Sequence, residues 1–190
     1  AERAGKRYED MNIIVAHLGG GISIGTHLKG EVVDVNNALD GEGPFSPERA
    51  GSLPSLALAD LCFSGKYTRA EMAKKISGKG GVVAHLGTND MREVEKRVKE
   101  GDEHARLVVE AMAYGIGKSI GAAATVLKGK VDAIIITGGI AYDKFVVGYI
   151  KEMVEFIAEV VVMPGENELE ALAMNARLVL ENKITPKIYS

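Results

Sequence analysis

The chain carries a single cysteine, so no disulfide can form within it. Cys62 stands between Leu61 and Phe63, and these neighbours predict a buried helix position rather than a reactive thiol. A reducing, cytoplasmic setting fits that pattern. No uncharged apolar stretch approaches the roughly 18 residues that mark a membrane span, so no membrane partner is expected. A formal net charge of −3, spread along 190 residues, offers no basic stripe to neutralise a phosphodiester backbone, and nucleic acid is not expected as a partner. Residues 1–10, A-E-R-A-G-K-R-Y-E-D, lack the apolar core of a signal peptide. They look like the end of a helix, so the chain is expected to be a fragment preceded by further sequence. The P-loop pattern and a G-x-G-x-x-G opening a helix are both missing, which disfavours two common phosphate-binding folds. His17, His27, His85 and His104 have no metal-ligand spacing among themselves, and no zinc site is expected.

What is present reads as an ordinary globular chain, 46% hydrophobic and 26% charged, long enough for one sizeable core. Residues 12–16 form a short β-branched run that stops at three glycines. Extended segments over 22–28 and 31–35 follow, joined by a turn at Lys29 and Gly30, which predicts three antiparallel strands in succession. Residues 36–54 are rich in Gly, Pro, Asn, Asp and Ser, irregular, and long enough to be a functional loop. A helical pattern runs from Leu56 to a break at Ser64 and Gly65, then restarts behind Thr68 as N-cap with Glu71 in the capping-box position. Residues 92–100 read as a charged helix, and 103–127 as one long helix with a stripe of small residues that permits close packing. The apolar run 131–137 predicts a strand buried on both faces, as in a parallel sheet. A helix over 142–158, a strand over 160–163 and a helix over 168–181 complete the order. The fold class that follows is α/β, a mixed five-stranded sheet of three antiparallel strands and then two parallel ones, with helices on both faces. The segments I-V-A-H-L-G at 14–19 and V-V-A-H-L-G at 82–87 hint at duplication, but their flanks diverge at once.

Three constellations can carry chemistry. H-L-G-G-G at 17–21 is a strand-to-strand turn stripped of side chains, which lets backbone N–H groups approach an anion; the plain alternative is a glycine-rich hairpin without a ligand. A second pair, Gly138 and Gly139, lies where a strand hands over to a helix, the place at which open α/β sheets bind ligands; an ordinary turn is the alternative. Arg49, in F-S-P-E-R-A-G-S-L-P, could place a permanently charged fork over a phosphoryl group, or could form a surface salt bridge to Glu48 or Glu42.

Together these residues resemble the acetate and butyrate kinase family, within the larger group of sugar kinases, actin and heat-shock chaperone ATPases, whose sheet is ribonuclease-H-like. The likeness runs from about Asn12 to Arg177: H-L-G-G-G, Val33 and Asp34, R-A-G at 49–51, D-M-R at 90–92, G-G-I at 138–140, and the segment from Pro164 to Leu169. The glycine at position 20 and the run D-V-N-N-A-L-D-G-E-G-P-F-S-P-E-R-A-G look like the butyrate kinase branch. The resemblance implies ATP/ADP and Mg²⁺ as cofactors and a short-chain carboxylate as phosphoryl acceptor. It implies that Gly19, Gly20 and Gly21 cradle ATP phosphates with His17 near the transferring group, and that Arg49 stabilises the transition state. Asp90, Met91, Arg92, Gly138, Gly139 and Ile140 would hold adenosine, and Glu168, with Glu166 as competitor, would position Mg²⁺ through water. Residues 1–190 would be the carboxy-terminal, nucleotide-binding domain of a two-domain kinase, with its own amino-terminal domain as partner, and a homo-oligomer is expected. The rival expectation is a non-catalytic, actin-like or chaperone-like ATP switch.

Overall fold

The computed structural model describes residues 1–165 and 168–186. β1, Asn12–Leu18, turns through three glycines into β2, Ile22–Leu28, and through Lys29 and Gly30 into β3, Glu31–Val35. These three pair antiparallel, from Asn12 opposite Leu28 to Leu18 opposite Ile22 in the first pair. β4, Ala133–Gly138, and β5, Val160–Pro164, add parallel steps on the other side of β1, giving the order β3-β2-β1-β4-β5. Parallel neighbours need long crossovers, and helices fill them. The mixed α/β sheet is the one expected from the sequence.

Strand alternation sends Ile14, Ala16, Leu18, Ile22, Ile24, Ile134 and Ile136 to one face, each at most 5% exposed. Against that face lies α5, Glu103–Val126, whose Met112, Ile116 and Ile120 are fully buried. Asp102 starts this helix by accepting from Ala105 N at 2.9 Å. Its small residues admit α6, Lys144–Val154: a side chain at Gly117 would begin 2.7 Å from Met153 Sδ. The opposite face, with Val15, His17, Ser23, Ile135 and Thr137, is half-buried.

Between β3 and α5 run α1, Ser55–Phe63; α2, Arg69–Ile76; α3, Val82–Leu86; and α4, Met91–Lys99. The predicted capping box at Thr68 and Glu71 is formed in both directions. Several expectations need correcting. Cys62 lies in a helix but is exposed, because α1 buries none of its residues and leaves Leu56 and Phe63 in solvent. Residues 1–10 are 3-10 turns at Glu2–Ala4 and Tyr8–Asp10, not a helix end. The segment beginning at Val82 is a helix while its look-alike in β1 is a strand, in keeping with the chance likeness that their diverging flanks indicate. α7, Glu168–Leu180, follows β5 and exposes Leu169, Leu172, Met174 and Leu180. Among the described residues no helix is long and apolar enough to cross a membrane.

Candidate active site

The carboxyl ends of β1 and β4 lie side by side, with His17 paired in register to Ser23 on one side and Thr137 on the other. Cross-strand partners share a face, so these three polar residues form a row at the sheet's end. Beyond it, Gly19 N donates to Gly21 O at 3.0 Å and closes the glycine turn. A cleft of about 630 Å³ opens over this turn, lined by His17, Gly19, Gly20, Gly21, Ser23 and, from the irregular loop, Asn36 and Arg49. Asn36 holds that loop to the sheet: its Oδ1 accepts from Ile24 N at 2.7 Å and its Nδ2 donates to Ile22 O at 3.1 Å and Glu42 O at 2.9 Å.

Arg49 reaches the cleft by lying against Gly21. A Cβ at Gly21 would fall on Arg49 Nη1, so only glycine leaves room for the guanidinium there. The surface salt bridge is not formed: Glu42 accepts from Asn37 N at 2.6 Å, and Glu48 from Asn89 Nδ2 at 2.5 Å. His17, Gly19, Gly20, Gly21 and Arg49 are thus brought together.

The expected adenosine residues are not among those lining this cleft. Gly138 adjoins the end of β1 and exchanges backbone hydrogen bonds with Gly165, at 3.2 Å and 3.1 Å. Gly138 and Gly139 do not open an α-helix directly. A 3-10 turn, Gly139–Tyr142, intervenes, and α6 starts only behind Asp143, whose carboxylate accepts from Phe145 N and Val146 N. That buried carboxyl, its pKa raised by burial, already serves the helix N-terminus expected to attract phosphate. The sequence signal for it, an N-cap residue ahead of an apolar helical pattern, was available at Asp143 and outweighs the glycines.

Asp90 caps α4 and pairs with Arg92 of the same helix at 2.7 and 2.9 Å. Hydrogen bonds from Arg92 hold the Asp90 carboxyl down from an ordinary 3.8 to about 2. A depressed pKa stabilises the fold above the unfolded value, and that contribution is lost as pH falls from about 4 through about 2. An NMR titration is expected to place the Asp90 midpoint near 2, and Arg92→Ala to move it back toward the ordinary range. A second cavity, of about 520 Å³, opens between α4, α5 and the start of α6, lined by Val98, Val109, Tyr142 and Phe145 together with Glu95, Lys99, Asp143 and Lys144.

Among the described residues no group of three or more His, Cys, Asp or Glu could hold a metal ion. A magnesium ion carried on nucleotide phosphates needs only one or two protein carboxylates. Glu166 and the side chain of Glu168 lie outside the described residues.

Solved structures share this fold. The Porphyromonas gingivalis acetate kinase superposes with a TM-score of 0.83 at 26% identity, covering 94% of this chain and 51% of that one. A propionate kinase from Francisella tularensis gives a TM-score of 0.78 at 23% identity over 89% of this chain and 49% of that one. A ROK hexokinase from Thermus thermophilus shares the fold more distantly, with a TM-score of 0.53 at 17% identity, covering 92% of this chain and 59% of that one. The chain thus spans about half the length of the acetate and propionate kinases. The acetokinase family model matches residues 1–171, and on that match the chain belongs to the acetokinase family.

Proposed function

We propose that this chain is the nucleotide-binding, carboxy-terminal half of a two-domain cytoplasmic kinase that moves phosphate between ATP and a short-chain carboxylate, butyrate or a branched relative. The observation that carries the reading is the Arg49 guanidinium lying against the side-chain-free Gly21 in an open cleft at the end of β1. Family membership and the half-length match to acetate and propionate kinases support it. The phosphates lie over Gly19, Gly20 and Gly21, and the adenosine extends past Gly139 and Ile140 toward the cavity between α4 and α6. That cavity has the size and the mostly apolar walls of a small-molecule site. The acid enters from the amino-terminal domain, which the half-length match leaves to the rest of the protein, and the whole kinase forms a homo-oligomer.

In the reaction one carboxylate oxygen attacks the γ-phosphorus in line, the bond from that phosphorus to the ADP oxygen breaks, and the products are acyl phosphate and ADP. A carboxylate is already ionised at pH 7, so no side chain needs to remove a proton. What this chain contributes is position and charge: glycine amides on the phosphates, and Arg49 and His17 beside the transferring group. A magnesium ion, when bound with the nucleotide, neutralises phosphate charge, with Glu168 or Glu166 near it.

The test is hydroxamate trapping of acyl phosphate by the complete protein with ATP and butyrate, compared with acetate and propionate. Butyryl hydroxamate formed faster than the acetyl product supports the reading. Steady ATP hydrolysis with no hydroxamate from any acid would replace it with an ATP-driven switch.

A further inference from the structure

The turn over residues 46–49 ties the glycine turn, the arginine and the start of α4 together. Ser46, fully buried, donates its hydroxyl to Gly20 O at 2.7 Å, and Glu48 N donates to the same carbonyl at 3.2 Å. Two donors on one carbonyl fix the plane of the peptide joining Gly20 to Gly21. In a trans peptide the N–H lies opposite the C=O, so the Gly21 N–H faces away from this turn. The turn is itself anchored: Glu48 O accepts from Gly78 N at 2.8 Å and Gly80 N at 3.2 Å, and Ser46 O accepts from Val82 N at 2.9 Å. Its main chain therefore has little freedom to adjust.

The Glu48 side chain does something separate. Its carboxylate accepts from Asn89 Nδ2 at 2.5 Å, across 41 positions of sequence. It also sits 3.4 Å from the point where a Cβ on Gly20 would stand. Asn89 immediately precedes Asp90, the N-cap of α4. One residue thus touches the phosphate turn through its backbone and side chain, carries Arg49 as its chain neighbour, and grips the helix start assigned to the nucleoside. A carboxylate next to a phosphate-binding turn is otherwise unfavourable, since like charges repel. Among the described residues it pairs with neither Arg49 nor a metal ligand set, and it is instead held by an amide donor.

We propose that Glu48 is a positioning residue: through Asn89 it clamps the start of α4 to the glycine turn, so that nucleoside and phosphate subsites keep one spacing and the γ-phosphoryl stays in line under Arg49. The inference rests on the kinase reading above. Misplacing a reacting group by a fraction of an ångström costs turnover rather than ground-state binding, because the glycine amides still hold the phosphates.

In the complete kinase, Glu48→Ala and Asn89→Ala are each expected to lower kcat about tenfold while KM for ATP stays within about threefold. The double variant falls no further than either single one, since both remove the same link. Glu48→Gln keeps an oxygen able to accept from Asn89 and retains kcat within about threefold of the parent. Asn89 is exposed, so its truncation reports on the link even where a Glu48 variant folds poorly. A Glu48→Ala enzyme with parental kcat, a loss confined to KM, additive losses in the double variant, or a Gln variant as slow as the Ala one would each overturn the clamp while leaving the kinase reading in place. A parent enzyme that forms no acyl phosphate overturns both.

Discussion

Arg49→Ala in the complete kinase is expected to depress kcat for acyl phosphate formation by about a hundredfold or more, the scale of losing a transition-state charge contact. The guanidinium is permanently charged and planar, and no carboxylate from Glu42 or Glu48 diverts it. Its seat against Gly21 puts the fork at the glycine bend, beside the amides proposed to hold the phosphates. Charge on the equatorial phosphoryl oxygens is redistributed as the bond to ADP breaks, so the contact strengthens toward the transition state and its loss appears in kcat more than in KM. Arg49→Lys keeps a positive charge but not the fork, and should fall between the two. Steady-state rates by hydroxamate trapping decide the matter: an unchanged kcat in Arg49→Ala removes this residue from the mechanism.

Gly138→Ala is expected to destabilise the domain by about 3 kcal/mol, from backbone strain of roughly 1–3 kcal/mol and an overpacking cost of similar size. The backbone at Gly138 has φ 91° and ψ 177°, a region open in practice to glycine alone. A Cβ there would stand 2.7 Å from the Leu18 carbonyl carbon and 2.8 Å from Leu18 N, main-chain atoms locked by strand pairing. In a chain of this length that cost corresponds to a melting point lower by roughly 10 °C. Gly139→Ala is the matched control, because a Cβ at Gly139 meets nothing within 4 Å. Thermal denaturation of the two variants should separate them clearly, and equal melting points would contradict this account of the turn.

Much of the architecture was legible from local pattern. β2 and β3 end where their runs of extended-type residues end, and the capping box at Thr68 and Glu71 is a contact over three positions. The glycine turn at 19–21 and the arginine turn were visible as motifs, and both border the same cleft. α6 starts at Lys144 rather than at 142 because Asp143, a cap whose preference is itself local, sets its first turn and the glycine pair does not. The exposure of Cys62 has a different origin: apolar letters in α1 say nothing about whether another element covers them. The Glu48 link to Asn89 has no sequence signal at all, since its partners are 41 positions apart.

V-A-H-L occurs twice, as strand at 15–18 and as helix at 83–86, and it separates the two kinds of information. The sequence by itself determined the succession of elements, the turns that need glycine and the family motifs, because hydrophobic period, capping and turn chemistry act over a few residues. Only the tertiary structure decided which V-A-H-L pairs with neighbouring strands, which of two adjacent glycines is indispensable, and that Arg49 reaches Gly21. Those outcomes are set by main-chain partners and close contacts between segments far apart in the chain, and no local pattern encodes them.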